Sequence, residues 1–258
     1  MLASPSDLHL GNFLLRLPST VDNLSDQQIY EKFGPPRPEP VVREDGQLLS
    51  PGVPGNVYWP MWMAKASDEL RLSESKILLA DFGTAFYPDL KLRFGSSTPL
   101  GKYPPEARFE PTTSLSFSAD IWTLAHATWA VMELRTIFGG FMISEDDVTQ
   151  EQVDTLGRLP DGWWSKWDER SRWFMEDGCH KNDGCPEKLE GRFKSSIQDP
   201  RRKYGMDIPG EKESYAFKEM IRWMLSYRPV DRPTAEQLLL NTECMKCWAI
   251  PEFENIHK

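Results

Sequence analysis

Cysteine is scarce in this sequence, and long apolar runs are missing. The four cysteines, Cys179, Cys185, Cys244 and Cys247, are too few for a disulfide-stapled secreted scaffold. No stretch near 18 residues is continuously apolar, which argues against a transmembrane helix. The opening residues have neither a basic segment nor an apolar core, so they do not resemble a signal peptide. We therefore expect an intracellular protein, located in the cytoplasm, the nucleus or both.

Basic residues are also in short supply. Lysine and arginine number 30 against 39 aspartates and glutamates, which gives a formal net charge of −9. An acidic chain of this kind is a poor general binder of nucleic acids, because their phosphates attract positive charge. We expect no direct nucleic-acid partner, whereas a basic protein partner is compatible with this charge.

Proline, by contrast, is concentrated in one region. Residues 34–60 contain seven prolines, and such a stretch cannot form a regular helix or a central strand. We interpret it as part of a long, mostly extended insertion over residues 18–76, with one short helix near 21–32. Short apolar runs at 13–17 and 77–80 lie on either side of the insertion and predict two buried strands.

From residue 118 onward the pattern is helical, so the predicted fold class is mainly α, with a few short strands (α+β). A nearly all-apolar run at 118–134 predicts a buried helix with Ser118 as its N-cap. Capping patterns and apolar periodicity predict three further helices: 144–157, capped by Ser144 and Asp147; 212–226; and one beginning after Thr234, with Gln237 as capping partner.

Five short motifs follow one another along the chain. The motifs are Asp7 with Asn12 five positions later, Asp81-Phe82-Gly83, Pro-Pro-Glu at 104–106, Asp-Ile-Trp at 120–122 and Asp-Arg-Pro-Thr-Ala at 231–235. Taken alone, the pair Asp7 and Asn12 is compatible with a solvated turn, and Asp81-Phe82-Gly83 is too short to be specific. In this order the five motifs resemble the C-terminal lobe of eukaryotic protein kinases.

The segments around these motifs resemble one group of kinases in particular. Residues 11–18, 77–86, 104–125 and 231–239, followed by 248–254, are similar to fungal kinases related to the SR-protein-specific kinases. Those enzymes phosphorylate serines in Arg/Ser-rich segments of splicing factors. The resemblance implies one kinase-like C-terminal lobe over the whole chain. It also implies an ATP- and Mg²⁺-dependent protein serine/threonine kinase with basic Arg/Ser-rich substrates.

The resemblance also implies roles for individual residues. Asp7 and His9 are the catalytic residues, and Asp7 accepts the hydrogen bond of the substrate hydroxyl. Asn12 and Asp81 hold Mg²⁺ and, through it, the phosphates of ATP, with Phe82 and Gly83 completing the nucleotide site. Their oxygen ligands suit Mg²⁺, which keeps waters and phosphate oxygens in its other positions.

Three further residues are implied to support the site without touching substrate. Glu106 and Arg232 match positions that form a buried ion pair in kinases. Asp120 matches an aspartate that accepts backbone hydrogen bonds from the catalytic loop.

The pattern departs from kinases in three respects. His9 stands where a lysine usually contacts the γ-phosphate, and a neutral histidine carries less charge there. The 69 residues from Asn12 to Asp81 replace a short hairpin. The sequence also has no glycine-rich loop and no lysine of the Val-Ala-Ile-Lys type. We expect a truncated kinase that, on its own, binds ATP weakly and shows no measurable phosphorylation of an Arg/Ser peptide.

An acidic run suggests how a basic substrate could dock. By resemblance, an acidic groove in this region binds Arg-rich segments, although such a run is also typical of a solvated helix face. Its members are Glu145, Asp146, Asp147, Glu151 and Asp154. A catalytically inactive docking module for basic partners is therefore an alternative function.

Three other interpretations are weaker. The run Asp7–Asn12 also resembles small-molecule kinases, but those families lack the later motifs. The cysteines with His180 form a loose zinc-like spacing, for which ordinary reduced thiols are the simpler explanation. An aromatic cluster could stack nucleic-acid bases, but it has little basic charge and fits core packing better; it comprises Trp163, Trp164, Trp167, Trp173 and Phe174.

Overall fold

The computed structural model describes most of the chain as mainly helical. The described residues are 4, 7–17, 20–63, 69–133, 135–139, 144–181 and 188–256. They form two compact units, one made of Met1–Phe13 with Leu79–Lys258 and the other of Leu14–Leu78.

The unit Leu14–Leu78 contains the proline-rich region. Helix α1 spans Asp26–Phe33, and its N-cap Ser25 forms a capping box with Gln28. Strands β2 (Pro38–Pro40) and β3 (Asn56–Tyr58) pair antiparallel. Because proline has no N–H to donate, β2 is suited only to an edge, and the region is extended, as its composition predicts.

The two apolar runs beside the insertion form strands, but they are not buried. Strand β1 spans Phe13–Leu15 and strand β4 spans Ile77–Leu79, and the two pair with each other. Leu15 is 50% exposed and Ile77 is 65% exposed. The prediction of buried strands is therefore wrong, because no third strand completes this two-stranded sheet in the described part of the chain.

The other unit is built from helices. A 3₁₀ turn at Leu10–Asn12 precedes β1, and π-helical turns at Lys194–Gln198 and Cys244–Ala249 connect neighbouring helices. The described helices are α2 Pro105–Phe109, α3 Phe117–Met132, α4 Glu145–Leu156, α5 Asp161–Trp164, α6 Arg170–Trp173, α7 Leu189–Phe193, α8 Asp199–Lys203, α9 Glu211–Met224, α10 Ala235–Asn241 and α11 Ile250–Ile256.

Helix α3 runs through the largest apolar core. Its Trp122 and Trp129 are completely buried and pack in one cluster with Phe193 of α7 and with Ile221 and Met224 of α9. Burying one large apolar side chain contributes about 1.5–3 kcal/mol. The helix is consequently fixed in place, along with the polar residues of its first turn.

The helix boundaries agree closely with the capping patterns. Helix α4 has the predicted capping box of Ser144 with Asp147, and α10 has that of Thr234 with Gln237. The predicted N-cap of α3 is wrong by two residues. Ser116 occupies that position, and its hydroxyl lies 2.7 Å from that of Ser118.

The aromatic cluster is core, as its spacing favours. The rings of Trp164, Trp167 and Phe174 pack against one another, with centroids about 6 Å apart, and all three are buried. Trp163 stacks on Phe109 of α2 at 5.6 Å. No described helix is both long enough and apolar enough to span a lipid bilayer.

Candidate active site

Asp7 and Asn12 belong to one closed loop. The side-chain amide of Asn12 donates to the carbonyl oxygen of Asp7 at 2.9 Å. The backbone N–H of Asn12 donates to the carbonyl oxygen of His9, also at 2.9 Å. Asn12 is buried. Because its amide nitrogen is held by Asp7, its amide oxygen remains as the acceptor that could face a cation.

His9 is oriented by a glycine. The ring Nδ1 of His9 accepts from the backbone N–H of Gly11 at 3.1 Å, so a neutral ring carries its proton on Nε2. That Nε2 lies 3.7 Å from Oδ1 of Asp7. A Cβ on Gly11 would lie 2.8 Å from Cε1 of His9, so a side chain at position 11 would force the His9 ring to move.

One oxygen of the Asp7 carboxylate has no hydrogen-bond donor among the described residues. That oxygen, Oδ1, is buried. A buried carboxylate oxygen without a donor is costly, and it remains able to accept a hydrogen bond.

Asp81 follows β4 and lies next to the loop. The backbone N–H of Ala80 donates to the carbonyl oxygen of Asn12 at 2.9 Å, which brings Asn12 and Asp81 to neighbouring positions. Asp81 has φ +60°, the only positive φ recorded for a non-glycine residue in the described ranges. Aspartate tolerates this conformation better than most residues, and strain of this kind clusters at functional sites.

Phe82 and Gly83 form the turn after Asp81. The N–H of Ala85 donates to the carbonyl oxygen of Phe82 at 3.0 Å, which closes the turn. The side chain of Phe82 is 54% exposed. A Cβ on Gly83 would lie 3.4 Å from Oδ1 of Asp81, so glycine leaves that carboxylate accessible.

Ser4 connects the chain just before Asp7 to Phe86 and Asp120 through hydrogen bonds, a role that the motifs do not predict. Its N–H donates to the carbonyl oxygen of Phe86 at 2.8 Å, and the N–H of Phe86 donates back at 3.0 Å. The Ser4 hydroxyl donates to Oδ2 of Asp120 at 2.6 Å. Asp120, in the first turn of α3, thus accepts a side-chain hydroxyl from the chain just before Asp7.

The predicted pair of Glu106 and Arg232 is present and deeply buried. The two guanidinium Nη atoms donate to the two carboxylate oxygens at 2.7 and 2.6 Å. The remaining donors of Arg232 reach the carbonyl oxygens of Ser118, Ser226 and Tyr227. All five N–H groups are therefore used, and the guanidinium also lies 4.9 Å from the ring centroid of Trp122.

The acidic run on α4 is largely engaged within the chain. Asp146 accepts from Arg108 at 2.5 Å and from the indole of Trp167 at 2.9 Å. Asp147 caps its own helix, and Glu151 pairs with Arg192 at 3.3 Å.

The remaining two acidic side chains differ in exposure. Burial raises the pKa of the half-buried Asp154 above its usual value. Glu145, 59% exposed, is the most open of the acidic groups for which the structure records an ion pair on α4.

The donor set fits Mg²⁺ better than zinc. Among the described residues, no three histidine, cysteine, aspartate or glutamate side chains cluster as metal ligands. Mg²⁺ commonly takes one or two carboxylates and completes its shell with water and phosphate, so Asp81 with the amide oxygen of Asn12 fits it. Cys185, a member of the loose cysteine pattern, lies outside the described residues.

Comparisons with known proteins do not assign a family. No family model matches the sequence, and a search of curated proteins gives no significant match.

Proposed function

We propose that this chain is the C-terminal lobe of an ATP-dependent protein serine/threonine kinase of the SR-protein-kinase type. One observation carries the proposal. Hydrogen bonds from Asn12 to Asp7 and from Ala80 to Asn12 join the loop of Asp7 and Asn12 to the end of the strand that Asp81 follows, which supports a shared site for the two predicted Mg²⁺ ligands. The two ligands are 69 residues apart in the sequence, so their proximity is not a consequence of local spacing.

Asp7 is the residue proposed to orient the attacking hydroxyl. Phosphoryl transfer depends on positioning and charge neutralisation more than on covalent help. The free Oδ1 of Asp7 can accept the hydrogen bond of a substrate serine and align its oxygen. His9 directs its Nε2–H toward the same carboxylate and contributes a donor, though not the fixed charge of a lysine.

Asn12 and Asp81 are the residues that would hold Mg²⁺. The bound ion would supply positive charge to the phosphates of ATP. Asn12 is fixed by its bond to Asp7, and Asp81 by the backbone conformation of its turn. Both residues are thus positioned before Mg²⁺ and ATP bind, which reduces the conformational ordering needed on binding.

The substrate class is proposed to be basic. A net charge of −9 favours association with positively charged segments and makes that association sensitive to salt. Serines in Arg/Ser-rich segments meet this requirement, and they are the substrates that the family resemblance implies.

The test measures phosphate transfer from labelled ATP to an Arg/Ser-repeat peptide by the chain joined to a kinase N-terminal lobe, as wild type and as Asp7→Asn and Asp81→Asn, because the chain alone should transfer no measurable phosphate. Each substitution should lower transfer by about 100-fold or more. Asp168→Asn, at an exposed aspartate, is the matched control and should change nothing. Nucleotide binding at millimolar ATP, monitored by NMR, should require Mg²⁺ and Asp81 but not Asp7.

Two outcomes would count against the proposal. Transfer that survives both substitutions would place the reaction elsewhere, and so would nucleotide binding that is indifferent to Mg²⁺ and Asp81. Peptide binding without any transfer would favour the alternative function, an inactive docking module for basic partners.

A further inference from the structure

A groove with aromatic and acidic walls lies on helix α9, outside the candidate active site. Its volume is about 390 Å³, and it lies between α9 and the junction of α10 with the π-helical turn that follows. The residues that give it its chemical character are Tyr215, Glu219, Met220, Trp223 and Glu243. None of them belongs to the motifs discussed above.

The aromatic walls come from one face of α9. Tyr215 and Trp223 are eight residues apart, slightly more than two helical turns, so they lie on the same side of the helix. Tyr215 is 60% exposed, which is unusual for a large aromatic ring. Met220 is buried and forms an apolar floor between them.

The charged groups of the groove are all acidic. Glu219 lies between the two aromatic residues on α9, and Glu243 faces them from the junction after α10. No lysine or arginine lines the groove. Glu219 is paired with Arg222, whereas no ion pair is recorded for Glu243 among the described residues.

Aromatic faces combined with a free carboxylate are suited to a cation. Arginine fits best, because its planar guanidinium stacks on aromatic rings while its N–H groups donate to carboxylates. Lysine is more strongly hydrated and lacks the planar surface. The acidic residues of α4 provide less, since Asp146, Asp147 and Glu151 are already bound within the chain.

We propose that the groove of Tyr215, Trp223 and Glu243 binds an arginine side chain of a basic peptide segment. The guanidinium stacks on an aromatic wall and donates to Glu243. The binding of an arginine side chain is inferred from the aromatic and acidic residues of the groove alone. That the bound segment belongs to a phosphorylated substrate rests on the proposed function.

The experiment measures fluorescence anisotropy of a labelled peptide of four Arg-Ser repeats with the full chain. Tyr215→Leu and Glu243→Gln should each weaken binding by about 2- to 5-fold, which is the size of an exposed cation–π contact. The matched controls are Tyr204→Leu, at a tyrosine 64% exposed on another helix end, and Glu252→Gln. Both controls should bind as the wild type does, and a Lys-Ser peptide should bind more weakly than the Arg-Ser peptide.

Several results would overturn the inference. These are no binding by the wild type, equal losses in the variants and their controls, and no preference for arginine over lysine. Loss of binding only in Glu145→Gln would assign docking to α4 instead. Because anisotropy does not depend on catalysis, failure of phosphate transfer by the chain joined to a kinase N-terminal lobe, with intact Tyr215-dependent binding, would reject the proposed function alone.

Discussion

Glu106 and Arg232 are 126 residues apart in the sequence, yet they share two hydrogen bonds of 2.7 and 2.6 Å in the interior. The arginine side chain has no exposed surface, and that of the glutamate is 7% exposed. The pair connects α2 to the segment before α10. An ion pair so buried contributes little relative to an apolar pair of the same shape, but it is costly to break.

Arg232→Ala should therefore be strongly destabilising. The substitution leaves the Glu106 carboxylate buried without its partner, and we expect a loss of about 3–5 kcal/mol in the free energy of unfolding. Urea denaturation measures this loss. Arg43→Ala is the matched control, because Arg43 pairs with Asp45 in an exposed ion pair whose loss should change the free energy of unfolding little. Equal losses in the two variants would contradict the prediction.

Local signals in the sequence predicted local structure well. The capping boxes of α4 and α10 depend on residues three positions apart, and both are present. Burial was harder to predict, since β1 is apolar but only paired with β4, so Leu15 stays half-exposed. Whether an apolar run is covered depends on elements far away in the sequence.

In the candidate site, too, contacts between distant parts of the sequence could not be predicted. The residues Asp7, Asn12 and Asp81 could be named from motif order, but Ser4 could not. Its bond to Asp120 spans 116 residues, and no spacing or pattern marks a serine at that position. Likewise, the partners of the acidic run, Arg108 and Arg192, lie about 40 residues from the acids they bind.

His126 should make the protein sensitive to acid. The side chain is 4% exposed in the core beside Trp122 and Phe138, and burial lowers its pKa from 6.5 to about 3. Between these two values the unfolded chain binds a proton that the folded chain does not. Stability therefore falls as the pH drops below 6.5, by about 2 kcal/mol at pH 5 from this residue alone.

Urea unfolding at pH 7 and pH 5 checks this expectation. In His126→Leu the difference in stability between the two pH values should be smaller by about that amount, whatever the stability of the variant at pH 7. An unchanged difference would mean that His126 is protonated in the fold or does not titrate in this range.

Gly11→Ala should release His9 from its present orientation. The added Cβ would lie 2.8 Å from Cε1 of His9 and 3.0 Å from Nδ1, so the ring must rotate and lose the N–H of Gly11 as donor. Long-range ¹H–¹⁵N NMR should then show a mixture of histidine tautomers in place of the Nε2–H form. Gly162→Ala, where the added Cβ meets nothing within 4 Å, is the control. A single unchanged tautomer in Gly11→Ala would refute this account of the loop.

Ser4→Ala tests whether the bond to Asp120 positions the loop that contains Asp7, the proposed catalytic residue. The Ser4 side chain is almost fully buried, and its hydroxyl donates to a buried carboxylate at 2.6 Å. Hydrogen bonds to charged groups contribute about 1.5–3 kcal/mol, so stability should fall by roughly that amount. Ser165→Ala is the control, because that exposed hydroxyl donates only to the carbonyl oxygen of Gly162. It should leave the unfolding free energy nearly unchanged.

A positioning role predicts more than lost stability. Since Ser4 keeps its backbone bonds to Phe86 in the alanine variant, the chain should still fold, but Asp7 should be held less firmly. Phosphate transfer by the chain joined to a kinase N-terminal lobe should then fall in kcat with KM nearly unchanged, because alignment of the attacking oxygen is impaired while substrate binding is not. Ser4→Thr keeps the hydroxyl and should restore the rate. If threonine fails to restore it, or if KM rises while kcat is constant, the bond between Ser4 and Asp120 is structural only.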